Sequence, residues 1–132
     1  MARLTEEQAQ LFLDRNHAVV TTLRRDGSPQ MTLVWVDWDG ENVVFNTAEG
    51  RAKPRNIRRN PQVGVFVVDP DDDHRWIAVS GRAEMTHEGA AEHIDRMAMR
   101  YKGRESYGLA PGEQRILVRV RPERVTAYGF DG

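Results

Sequence analysis

The 132-residue chain has no cysteine. Disulfides, thiolate metal sites and cysteine nucleophiles are therefore excluded. Net charge is almost absent too, formally −1 at pH 7. The chain thus projects no broad basic field toward nucleic acid and carries no acidic tail. It lacks a run of about 18 apolar residues, so no membrane-spanning helix is expected. Met1-Ala2-Arg3-Leu4-Thr5-Glu6-Glu7 contains no apolar signal-peptide core. Lysine is scarce: Lys53 and Lys102 are alone in a basic complement that is otherwise arginine. Arginine supplies a planar fork that suits phosphate. These absences leave a cytoplasmic protein of one domain, 1–132, with neither nucleic acid nor membrane as partner.

Motifs for metals and nucleophiles are also lacking. His74 follows Asp71-Asp72-Asp73, but the glycine and distal glutamate of a calcium loop are missing, so a solvated turn is expected. His87 and His93 do not have the paired spacing of a zinc site, and no metal is predicted. His17, just before a strand, is expected to pack or to face solvent. Ser80-Gly81 lies within a continuing strand pattern and is no nucleophile elbow.

What the chain does have is a mainly β pattern. Thr5-Glu6-Glu7-Gln8 reads as a capping box that starts a helix running to about Asn16. Strands are predicted at Ala18–Leu23, Gln30–Trp38 and Asn42–Thr47, joined by Asp26-Gly27 and Asp39-Gly40 turns. Trp35 and Trp38, three apart, would point to opposite faces of one strand. Further strands are predicted at Val63–Asp69, Trp76–Thr86, Ile116–Val120 and Val125–Tyr128. Gly81 marks a bulge or a close backbone approach. A helix is predicted from Glu88 to about Tyr101. Seven strands and three short helices suggest a β-barrel with helical decoration.

The most informative segment lies between the third and fourth strands. Arg51, Lys53, Arg55, Arg58 and Arg59 place five cations within nine residues. Pro54 suits the first position of a helix that Pro61 stops. The first-turn amides, at Arg55, Asn56 and Ile57, would then lack partners and favour an anion. Arg51 and Lys53, in the preceding loop, would reach the same point. The helix-borne Arg58 and Arg59 are ordinary surface by periodicity.

Asp26-Gly27-Ser28-Pro29-Gln30 and Asn46-Thr47-Ala48-Glu49-Gly50-Arg51-Ala52-Lys53-Pro54-Arg55-Asn56 resemble the flavin/deazaflavin oxidoreductases. These belong to the split β-barrel superfamily of pyridoxamine 5′-phosphate oxidase. The stretch from Arg51 to Val67 resembles the branch that uses the deazaflavin coenzyme F420, and Trp76–Ala83 and Pro111–Val125 fit as well. The resemblance implies an FMN-binding-like split barrel that forms a homodimer, with cofactor sites at the interface. It implies that Arg51, Lys53 and Asn56 hold the cofactor phosphate and acidic tail, with Arg55 among the surplus cations. Thr32, Asn46 and Thr47 would lie beside the ring, and Trp76 would come from the partner subunit. The longer C-terminal region of true pyridoxamine phosphate oxidases is not matched, so vitamin B6 oxidation is not expected.

The implied activity is an F420-dependent reduction of a small organic substrate with an activated double bond. The cofactor would carry the hydride chemistry, so no catalytic dyad is required. No residue is assigned as catalytic. Tyr101 fits core packing, whereas Tyr107 lies in an irregular segment open to a pocket. FMN is the alternative cofactor, and a non-catalytic cofactor carrier is the alternative role. Arg55, Arg58 and Arg59 would favour the longer anion of F420 over FMN.

Overall fold

The computed structural model describes residues 2–130; Met1, Asp131 and Gly132, part of the expected 1–132 domain, lie outside the described residues. Helix α1, Glu6–Leu13, begins at the predicted capping box: Thr5 and Gln8 exchange side-chain-to-backbone hydrogen bonds. It ends at Asp14, earlier than the sequence suggests. The strands are β1 His17–Leu23, β2 Pro29–Trp35, β3 Asp37–Trp38, β4 Val43–Ala48, β5 Gln62–Asp69, β6 Asp72–Thr86 and β7 Arg115–Tyr128. Helix α2 spans Ala52–Arg59 and α3 spans Ala90–Lys102.

All strands join one antiparallel sheet in the order β2-β1-β5-β6-β7-β4-β3. The sheet curls into a split barrel. Its interior is filled by alternating side chains such as Val20, Phe45, Val65, Ile77 and Val118, closed by Phe12 of α1 and Ile57 of α2. Val44, Ala90 and Leu117 form a smaller cluster that seats α3 outside β4 and β7. Strands β2 and β4 approach each other across the opening without pairing. That seam positions the candidate site.

Seven strands and three helices are present among the described residues, but two predicted boundaries were wrong in opposite directions. The expected Gln30–Trp38 strand breaks at Val36. There the Tyr101 hydroxyl accepts from the Val36 amide at 3.0 Å and lies 3.0 Å from its carbonyl, taking the place of a neighbouring strand. Trp35 and Trp38 therefore belong to different strands. Trp38 packs against the core and Trp35 stacks on Tyr101. The two strands expected after Ile116 are instead one, β7, despite Pro122. Pro122 faces Gly81, where the register shifts, so the missing N–H falls at a bulge. A Cβ on Gly81 would lie 1.7 Å from the Arg121 carbonyl oxygen, which is the close approach expected there.

Candidate functional site

At the seam, β4 ends in Thr47-Ala48, and the chain turns through Glu49 and Gly50 into α2. Gly50 has φ +88°, a left-handed conformation that glycine adopts without strain. Arg51 is the N-cap of α2, in extended geometry and with no side-chain capping bond. The predicted start at Pro54 is thus corrected to Ala52. Lys53 and Pro54 are its second and third residues, because any first-turn position tolerates a missing N–H. The free first-turn donors are consequently the amides of Ala52 and Lys53. Those of Arg55, Asn56 and Ile57 point into the helix by α-helical geometry.

A cavity of about 200 Å³ opens in front of this helix start. Asn46, Thr47, Arg51 and Lys53 line it, together with Trp35, Tyr107 and Arg115. Thr47 is 1% exposed, and its hydroxyl has no hydrogen-bond partner among the described residues. Among the described residues neither Arg51 nor Lys53 has an ion-pair partner. Burial, with Arg51 beside it, pushes the Lys53 ammonium below its usual pKa. Trp35 and Tyr107 meet edge to face at 6.1 Å, giving the cavity an aromatic side. A group combining an anionic end with a planar ring fits this donor set. A larger cleft of about 600 Å³ has three carboxylates, Asp14, Asp69 and Asp71, against one arginine, Arg15, on its walls, a balance less favourable to an anion.

The other residues expected around the cofactor do not line this cavity, and Trp76 was expected from the partner subunit. Asn56 is buried behind the helix; it donates to Thr22 Oγ1 at 3.1 Å and accepts from Arg59 at 2.9 Å. Arg55 is exposed on α2. Thr32 faces inward from β2, with its hydroxyl buried and without a partner among the described residues. Trp76 lies on the outer sheet face, between Phe66 at 5.6 Å and Tyr128 at 6.2 Å.

Sequence reasoning missed several groups at this wall. Arg115 is 4% exposed, and its guanidinium lies 4.8 Å from the Tyr107 ring centre. His93 is buried behind Asn46, on the face of α3 that also carries Ile94 and Met97. A histidine on an apolar helical stripe was the available signal. His17 lines the cavity and meets Tyr101 edge to face at 5.6 Å. Tyr101 itself is a structural pin: its hydroxyl lies 2.8 Å from the Asn16 carbonyl, and burial raises its pKa. Asp72, Asp73 and His74 are exposed; their ligand atoms lie within 4.8 Å of one another.

The fold and site define a split-barrel protein whose seam, between its two sheet ends, carries two cations that have no ion-pair partner among the described residues. Residues 4–129 match the pyridoxamine 5′-phosphate oxidase family, and the chain belongs to that family, beside its F420-dependent members. An F420H(2)-dependent biliverdin reductase from Mycobacterium tuberculosis (strain CDC 1551 / Oshkosh) is 29% identical over 127 residues, covering 93% of this chain and 87% of that protein. A solved F420 reductase is 31% identical with a TM-score of 0.84, covering 93% of this chain and 98% of that one. A heme storage protein from Vibrio cholerae, HutZ, shares the fold at 20% identity and a TM-score of 0.69, with 98% and 97% covered. The similarity to F420-dependent reductases supports an F420-dependent oxidoreductase at the family level.

Proposed function

We propose that this protein binds coenzyme F420 and uses it to reduce a small organic substrate with an activated double bond. The observation that carries the reading is the Arg51–Lys53 pair, two cations without an acidic partner among the described residues, on the wall of an aromatic-sided cavity. Arg51, Lys53 and the free amides of α2 would hold the phosphate. The Thr47 hydroxyl would gain a partner from the ligand. Trp35 and Tyr107 would flank the ring and exclude water. When bound, the cofactor would supply hydride transfer, leaving the protein to bind, orient and shield. Tyr107, on the cavity wall, is the tyrosine free to deliver a proton; Tyr101 is already engaged by the backbone.

The reading includes a homodimer in the cytoplasm. A cavity of about 200 Å³ is small beside the roughly 300–1,000 Å³ of typical ligand pockets. A second copy would complete it. The outer face of β2, β5, β6 and β7 exposes Met31, Leu33, Phe66, Val68 and Tyr128, flanking Trp76, and an apolar surface of this kind suits a partner subunit. Trp76 would then serve the partner's site.

FMN is the second reading, and one observation favours it. Arg58 and Arg59 are held within the protein, so of the cations assigned to a longer anionic tail Arg55 alone is uncommitted. Titration with oxidised and reduced F420 tests the proposal. Binding on the order of micromolar is expected, and none at tens of micromolar rejects it. A protein that purifies yellow with bound FMN decides for the second reading. Tight F420 binding without turnover on activated alkenes, quinones and nitroaromatics identifies a carrier.

A further inference from the structure

Four side chains from four elements form one continuous chain behind the cavity wall: Asp37 of β3, His93 of α3, Asn46 of β4 and Arg115 of β7. His93 Nε2 is 3.1 Å from Asp37 Oδ2, and His93 Nδ1 is 3.1 Å from Asn46 Nδ2. Asn46 Nδ2 also donates to the Ala90 carbonyl at 2.9 Å, and Arg115 Nε donates to Asn46 Oδ1 at 2.8 Å. His93 is only 2% exposed, so water does not substitute for these partners.

Donor counting fixes each proton. Turning the Asn46 amide over would set its oxygen against the Ala90 carbonyl and its nitrogen against the Arg115 N–H. Both contacts would be repulsive. The amide nitrogen therefore faces His93 and Ala90. An amide nitrogen only donates, so His93 Nδ1 accepts and the ring proton sits on Nε2, donated to Asp37. Burial alone would raise the Asp37 pKa, but hydrogen bonds from His93, Arg100 and the Trp38 amide outweigh it and hold the carboxyl at about 2. Arg100 Nη1 donates to the other Asp37 oxygen at 2.8 Å.

Arg115 ends the chain on the cavity wall. Its Nε is engaged by Asn46, and its Nη1 donates to Glu113 Oε2 at 2.6 Å. Among the described residues no hydrogen bond engages Nη2. One free nitrogen does not make the two-point grip that suits a phosphate. It makes one donor for a carbonyl or anionic oxygen. The cavity thus carries two kinds of cation: the unpartnered Arg51 and Lys53, and a fixed single-point donor.

We propose that Arg115 contacts an oxygen on the ring of the bound cofactor, and that His93 is the positioning residue that holds Arg115 there by fixing the direction of the Asn46 amide. The ligand's identity rests on the F420 reading; the network does not.

Two substitutions separate positioning from mere packing. In His93→Asn the side-chain oxygen takes the place of Nδ1 and still accepts from Asn46. In His93→Gln the amide reaches Asp37 in place of Nε2 and leaves Asn46 without its acceptor. Titration with oxidised F420 is expected to show a dissociation constant about tenfold higher for His93→Gln, one hydrogen bond's worth, and within about threefold of wild type for His93→Asn. Arg115→Gln is expected to weaken F420 binding while leaving inorganic phosphate binding unchanged. Equal losses in both His93 variants, or losses that track their melting temperatures, overturn the positioning role. A loss of phosphate binding in Arg115→Gln overturns the single-point contact.

Nitrogen-15 NMR of the His93 ring in ligand-free wild type needs no variant to fold. A proton on Nε2 alone is expected at neutral pH; one on Nδ1, or on both nitrogens, overturns the network. Failure of wild type to bind F420 overturns the Arg115 contact together with the functional reading. Normal binding with the wrong tautomer overturns the network alone.

Discussion

Arg51 and Lys53 open α2 beside a cavity and have no acidic partner among the described residues. About a turn and a half later, Arg58 binds Glu49 at 2.6 Å, and Arg59 bonds the Leu23 carbonyl and Asn56. The charges are alike, but their surroundings are opposite. At the front, two cations share a place that burial makes unfavourable for Lys53, and an incoming anion would relieve it. At the rear, each cation is satisfied within the protein and clasps α2 to the strand ends. A basic cluster is therefore a binding site only where its charges remain unpaired.

The strongest attack on this comparison is removal of the front pair. Arg51→Ala combined with Lys53→Ala is expected to weaken F420 binding by at least about a hundredfold, two charge-assisted hydrogen bonds being lost. Thermal unfolding should move little, because no internal partner is lost. A melting temperature that falls as steeply as the affinity would erase the distinction between front and rear.

Asn56→Ala tests the rear. It removes one donor each from the Thr22 hydroxyl and the Gln30 side-chain oxygen, which keep their own 3.0 Å hydrogen bond, and one acceptor from Arg59, so denaturant unfolding should show a loss of about 1–3 kcal/mol. F420 affinity should change by less than about threefold. A selective loss of affinity would instead return Asn56 to the ligand contacts that the sequence suggested.

A smaller effect is expected from pH. Anion binding favours charged Lys53, whose pKa is lowered in the free protein. Affinity should therefore fall as pH rises through that lowered value, and Lys53→Ala should flatten the profile. Titrations between neutral and alkaline pH check this.

The smallest effect concerns Glu49. Hydrogen bonds from Arg58 and then His87 hold its carboxyl at about 2, below the ordinary 4.5. The folded state thus prefers the ionised form. The contribution is present above pH 4.5 and is lost as pH falls toward 2. Melting temperatures of wild type and Glu49→Gln should differ slightly at neutral pH and converge across that interval, with F420 affinity unaffected.

Much of the fold was legible because its signals are local. The Thr5–Gln8 capping box, the Asp26-Gly27 turn and the alternating strands depend on neighbours in the chain. The front cations were legible as part of a cluster of five within nine residues, although Lys53, read as a loop residue, is the second residue of α2. The start of α2 was misplaced because a proline fits any first-turn position. The break at Val36 was invisible because its cause is the Tyr101 hydroxyl, 65 residues away in sequence. Arg115 and His93 were missed for a related reason: the hydrogen bonds that link them through Asn46 join three different elements.

The sequence by itself determined the β-rich architecture, the place of its turns and the concentration of positive charge ahead of a short helix. These follow from backbone preferences and side-chain periodicity, which act over a few residues. Only the tertiary structure decided which of those charges stay unpaired and which way Asn46 faces. Pairing and proton placement depend on what lies within about 3 Å, and in this curled sheet those neighbours come from strands and helices far apart in the chain.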